Sequence, residues 1–187
     1  PHVKLNIIYR SMQELMDGLK KRELDLVLAF KPLNKDKAID SRAIFSNRLA
    51  AIVNENHPLA RQSSLRLSDL ERYDLILPSK GLQARNAFDH LVEGKELNYR
   101  IMVEVNSVNI IFDLLRRSNL VTILSESTTI LQPDMKALSL DAADNEMDGC
   151  IHILKDSYMK NSAQEFIRML SQSTSILANF AFKDILK

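Results

Sequence analysis

The chain carries one cysteine, Cys150, in 187 residues, so no disulfide can form within it. It has no surplus of charge either. Its 25 Lys and Arg stand against 24 Asp and Glu, a balance that lacks the electrostatic footprint of a surface gripping duplex nucleic acid. No apolar run approaches the length of a membrane-crossing helix. The first residues also lack the layout of a secretion leader, so the expected compartment is the cytoplasm, with no membrane partner. Catalytic signatures are missing as well: there is no GxSxG elbow, P-loop, dinucleotide fingerprint or HExxH spacing. His2, His57, His90 and His152 are scattered and read as surface or packed side chains. Cys150 reads as a buried, inert thiol at the start of a strand. Neither a metal nor a cofactor is expected, and the chain does not read as an enzyme.

What is present is ordinary globular composition, 45% apolar and 26% charged, enough for one compact domain or two small lobes. Val3, Leu5 and Ile7 alternate with Lys4 and Asn6, the period of a strand with one face covered. Ser11-Met12-Gln13-Glu14 is a capping-box pattern, and Met12, Leu15, Met16 and Leu19 come after it at helical spacing. Glu14, Asp17, Lys20 and Lys21 read as a solvated, ion-paired face. The apolar run Leu24–Phe30 reads as a strand buried on both faces of a parallel sheet. Lys31–Asp40 is a polar loop, and Arg42–Val53 a long strand. His57-Pro58 forces a turn after Asn54, because proline fixes its own φ and pushes its predecessor out of the helical region. Further strands are expected at Leu75–Leu77, Ile101–Val105, Leu120–Leu124 and Ile151–Leu154. Helices are expected at Gln83–Val92, Val108–Arg117 and from a cap at Ser162 through Leu170. Strand and helix alternate, which points to βαβ units with right-handed crossovers.

The order and spacing of several short motifs resemble the effector-binding domain of LysR-type transcriptional regulators, from residue 1 to about residue 171. They are Pro1-His2-Val3-Lys4-Leu5, the Leu24-Asp25-Leu26 strand, His57-Pro58-Leu59-Ala60, Leu67-Ser68-Asp69-Leu70, Leu75-Ile76-Leu77, Glu104-Val105-Asn106-Ser107 and Ser162-Ala163. Ala29-Phe30-x-Pro32 and Leu114-Leu115-Arg116-Arg117 look most like the cyanate-sensing branch. The resemblance implies a two-lobed, periplasmic-binding-protein-like (type II) α/β fold with two crossover strands. Residues 1–48 with 142–187 would form lobe I, and 49–141 lobe II. It also implies that a winged helix-turn-helix, a linker helix and the first strand and helix of lobe I lie upstream. DNA would then be met only through that upstream domain, and the open sheet edge would need repair from another chain.

Such a fold places a ligand between the lobes, beyond the carboxyl ends of strands and at helix N-termini, where free amides favour small anions. Four ends are readable: Ser11-Met12, the loop Ser79–Arg85, Asn106-Ser107 and Ser125-Glu126-Ser127. The expected effector-binding residues are therefore Ser11, Met12, Ser79, Gln83, Arg85, Asn106, Ser107 and Ser125, with a small, anionic effector. Ser107 either donates its hydroxyl to ligand or caps its helix. Three departures from the family pattern stand out: Met12 replaces a common Ser or Thr, Ser118-Asn119 a Gly-x-Gly, and Ser125 a strand-ending Pro. The implied assembly is a homodimer or tetramer, built head to tail from Met12–Arg22 and Val108–Arg117. A transport solute-binding protein and a dimerisation module without a physiological ligand are the rival readings.

Overall fold

In the computed structural model, which describes residues 3–32, 34–143 and 145–172, the chain forms two sheets joined by two short crossings. The first sheet has three strands: β1 (Val27–Phe30), β2 (Ile39–Phe45) and β9 (Gly149–Leu154). Both β1 and β2 pair antiparallel with β9, which lies between them. Helix α1 (Met12–Lys20) covers this sheet through Met16 and Leu19 packed on Val27. Its start is built as the capping box requires: the Glu14 amide donates to Ser11 Oγ, and the Ser11 amide donates to Glu14 Oε2 at 3.0 Å.

The second sheet runs β4 (Ser64–Arg66), β8 (Met135–Asp141), β3 (Leu49–Asn54) and β7 (Thr122–Ser125) in spatial order. It is extended by β5 (Asp74–Pro78) and β6 (Arg100–Val105), which are parallel to each other. The join lies at Val121, whose amide donates to Asp74 O and whose carbonyl accepts from Ile76, both at 3.0 Å. Strand β3 is buried along its whole length. Because strand side chains alternate, its residues split between two cores. Leu49, Ala51 and Val53 meet Phe88 and Leu91 of α2 (Gln83–Val92), and Ala50 and Ile52 meet Ile111, Phe112 and Leu115 of α3 (Val108–Leu115). The last helix is α4 (Asn161–Gln172).

In the second sheet β5, β6, β7, α2 and α3 agree closely with the sequence reading, which did not include β4 or β8, whereas the first sheet departs from expectation. Val3–Ile8 forms no regular element and joins no ladder among the described residues, and Val3, Leu5 and Ile7 are exposed. Alternation prepares a strand face but supplies no partner for its backbone. Pro1 and His2 lie outside the described residues, as do 173–187. Strand β1 is an edge with an antiparallel neighbour, and Leu28, Ala29 and Phe30 are only half-buried. A short apolar run does not encode the direction of its neighbour. The long strand Arg42–Val53 is divided at Ser46–Arg48, and Ser162 lies inside α4 rather than at its cap.

The crossings 46–48 and 145–147 are bonded to each other: Leu49 N–H donates to Asn145 O at 2.9 Å and Met147 N–H to Asn47 O at 2.7 Å. Beside them Gly149 has no side chain because the Phe45 ring lies where one would go; a Cβ there would come within 2.1 Å of the ring. Two buried histidines hold other parts together. His57 Nδ1 accepts from Leu59 N–H and its Nε2 donates to Asn119 O at 3.1 Å, so the His-Pro turn is tied to the connection between α3 and β7, 62 residues on. His152 Nδ1 lies 2.8 Å from Ser41 Oγ, and its Nε2 donates to Ala29 O at 3.3 Å.

Gly149→Ala forces the Phe45 ring aside and should cost about 1–3 kcal/mol of stability, the usual range for overpacking, measured by urea unfolding. Burial pushes the pKa of both His57 and His152 below the ordinary value, against the opposing carbonyl bonds. The unfolded chain therefore takes up their protons first. Stability should fall as pH drops through about 6.5 and level off once the folded histidines also protonate. Equal urea midpoints at pH 7.5 and 5.5 would refute this.

Candidate functional site

The carboxyl ends of the parallel strands β5 and β6 lie side by side, because Ser79 N–H donates to Val105 O at 3.0 Å. Helices α2 and α3 leave from these ends. Neither start has a side-chain cap: Leu82 opens α2, and Ser107 opens α3 without its hydroxyl bonding the helix. Ser107 thus resolves away from capping, and Ser79 and Asn106 flank it on the same rim. The loop before α2 is closed by its own residues, since Asn86 Oδ1 accepts from Gly81 N–H at 3.2 Å and Asn86 Nδ2 donates to Gly81 O at 3.3 Å. Gly81 has φ of +89° there, a conformation glycine adopts without a Cβ clash.

Gln83, the first residue of α2, reaches the first sheet. Its Oε1 accepts from Phe30 N–H at 2.9 Å, and its Nε2 donates to Met12 Sδ at 3.1 Å and to Phe30 O at 3.4 Å. Met12 and Gln83, expected at one site from separate motifs, are therefore in contact. Ser125 closes the rim from β7. It is buried, and its Oγ accepts from Asn47 Nδ2 at 2.6 Å and lies 3.0 Å from Ser127 Oγ. Beyond Ser125 the chain makes a single 3-10 turn, Glu126–Thr129, so this end carries a weaker dipole than a full helix start.

Ser11 and Arg85, like Gln83 and Ser125, have side chains committed to partners within the fold. Ser11 Oγ lies 2.6 Å from Glu14 Oε2 in the capping box. Arg85 is 4% exposed and holds Asp89 at 2.7 Å, Glu104 at 3.0 Å and Pro78 O at 3.2 Å. Burial lowers the guanidinium's pKa, but the bonds to Asp89 and Glu104 outweigh it and the net shift is upward. Arg85 therefore clamps α2 to β5 and β6. Asn54 has a role that local pattern does not reveal: its Nδ2 donates to Leu115 O and Ser118 O, both at 2.8 Å, closing the C-terminus of α3. An Asn after an apolar run is the only local trace of it, and its partners lie more than sixty residues away.

Two surface hollows, of about 510 Å³ around Glu55–Pro58 and Arg61 and about 350 Å³ around Asn54, Asn56 and Arg116–Asn119, lie at the other end of the second sheet. Neither contains an expected site residue. Among the described residues no group of three or more His, Cys, Asp or Glu side chains could hold a metal, and no helix is long and apolar enough to cross a membrane. The Cys150 thiol is buried, and that burial, with Asp148 nearby, pushes its pKa up, which keeps it protonated and unreactive. Arg85→Ala should lower stability by about 1–3 kcal/mol, the range for hydrogen bonds to charged groups. Arg85→Lys should restore little of it, since one ammonium cannot reproduce the guanidinium's forked contacts. Chemical denaturation of both variants tests this.

Comparison with known proteins agrees with this geometry. The model of the LysR substrate binding domain matches residues 1–175. The transcriptional dual regulator GltC of Bacillus subtilis is 27% identical over 128 residues, covering 68% of this chain and 43% of GltC. This chain therefore spans less than half the length of that relative. Among solved structures, the regulatory domain of Synechocystis PCC6803 CcmR in complex with 2-PG superposes with a TM-score of 0.78 at 20% identity, covering 88% of this chain and 80% of that one. The effector binding domain of QuiR in complex with shikimate does so at 0.74 and 20%, covering 89% and 79%. The curated relatives are transcriptional regulators rather than enzymes. With its periplasmic-binding-protein-like type II α/β fold, the chain belongs to the LysR substrate-binding domain family.

Proposed function

We propose that this chain is the sensing and oligomerising part of a LysR-type regulator, binding a small anionic effector between lobe I (1–48 with 142–187) and lobe II (49–141). The observation that carries this reading is the pair of uncapped helix starts, α2 and α3, side by side at the ends of β5 and β6. The dipoles of these two starts favour negative charge, each charge contributing roughly 0.3–1 kcal/mol. Ser79, Gln83, Asn106, Ser107 and Ser125 supply polar groups around them, and Met12 faces them from the other lobe. Ser11 and Arg85 support this rim from behind. The ligands in the CcmR and QuiR complexes, 2-PG and shikimate, make small acids the natural first probes. Cyanate joins them on the branch resemblance.

Regulation requires that the effector prefer one arrangement of the lobes over another. That preference would pass to DNA through a helix-turn-helix upstream of residue 1, in the cytoplasm. The surface suited to carry it joins the two lobes head to tail. On α3, Ile110 is 48% and Leu114 36% exposed; on the edge strand β6, Met102 is 63% exposed. The exposed apolar segment 3–9 and α1 would meet them in a second copy, and a two-fold pair makes each contact twice.

Thermal-shift titration with shikimate, 2-PG, cyanate and related small acids should give saturable stabilisation with at least one compound. Ser107→Ala should leave stability unchanged, because no cap bond is lost, and weaken that compound by about tenfold or more if its hydroxyl meets a charged group. Unchanged affinity with lowered stability would assign Ser107 to the helix instead. In sedimentation, the chain should be a dimer and Leu114→Glu a folded monomer; a wild-type monomer at high concentration overturns the proposed interface.

A further inference from the structure

The contact between Gln83 and Phe30 joins the lobes by a means that neither fold nor family requires. Strand β1 is the edge of the first sheet among the described residues, and its Phe30 N–H donates to Gln83 of lobe II rather than to β9. An edge peptide of this kind presents a donor and an acceptor side by side. A carboxamide is the one neutral side chain type that presents the complementary pair. Gln83 uses both, accepting from Phe30 N–H at 2.9 Å and donating to Phe30 O at 3.4 Å, and its second N–H donates to Met12 Sδ at 3.1 Å. The Phe30 ring is seated against the lobe II core and meets Phe45 edge-on at 6.4 Å. One side chain of lobe II thus grips the backbone of a lobe I residue whose ring packs against the edge of the neighbouring core.

We infer that Gln83 is an interlobe latch, holding the lobes together by imitating a neighbouring strand at Phe30. It rests on the effector reading of the same cleft and adds a mode of regulation to it. A molecule entering between the lobes has to replace the Gln83 contacts, so its apparent affinity carries the cost of opening the latch. The most suitable replacement is an acceptor for Phe30 N–H, which a carboxylate or a carbonyl oxygen provides. The hydroxyls of Ser79 and Ser107 on the rim suit the rest of such a molecule.

Amide hydrogen exchange on the 187-residue chain with no added small molecule tests the latch directly, because exchange reports local opening. Gln83→Ala should raise exchange at the Phe30 amide at least tenfold. The Ile76 amide, bonded within lobe II to Val121 O at 3.0 Å, should stay unchanged as an internal control. Gln83→Glu keeps the size and the acceptor, so Phe30 should remain protected near the wild-type level at neutral pH. Phe30 exchange that is the same in wild type and Gln83→Ala overturns the latch, as does a Gln83→Glu variant that exchanges as fast as Gln83→Ala. The effector reading fails separately, if no small acid stabilises either wild type or Gln83→Ala in thermal shift.

Discussion

The two crossings between the sheets are the constraint on which the rest of the structure depends. Segments 46–48 and 145–147 run antiparallel and exchange hydrogen bonds at Leu49–Asn145 and Met147–Asn47, so they form a short ribbon rather than two loose linkers. It holds the ends of β2, β3, β8 and β9 together. The Phe45 ring over Gly149 fills the space beside it, and Asn47 ties it to Ser125 and Ser127 at the end of β7.

Buried polar groups around the second sheet are arranged to complete helices and turns that the sequence leaves open. Asn54 satisfies the last carbonyls of α3, His57 links its turn to Asn119, and Arg85 joins α2 to both parallel strands. Leaving such groups unpaired would cost more than their bonds contribute, about 1–3 kcal/mol each. Among the described residues only Thr122 Oγ1 is a buried side-chain atom without a partner. The starts of α2 and α3 differ from that of α1 in that Leu82 and Ser107 make no side-chain cap bond.

The positions of the candidate site residues are legible along the chain. Ser79, Gln83, Asn106, Ser107 and Ser125 come after apolar runs, at or just beyond the ends of β5, β6 and β7. Local pattern is sufficient there because each residue's position is set by the strand before it. The same logic fails for side-chain partners. Nothing near Arg85 announces that it is buried among Asp89, Glu104 and Pro78, and nothing near Gln83 points to Phe30, fifty-three residues earlier. The expected strand at Val3–Ile8 fails for a related reason, since its pattern describes a face while pairing needs a neighbour.

The amino-acid sequence by itself determined β5, β6, β7, α2 and α3, the turn at His57-Pro58, the capped start of α1 and the family. These depend on periodicity, on proline's fixed φ and on side chains within a few residues of one another. Tertiary structure alone decided which way β1 is paired, which polar side chains are spent inside the fold, and that Gln83 spans the cleft. Those outcomes depend on which distant segments become neighbours, and a donor or acceptor has no direction in the sequence until its partner is placed.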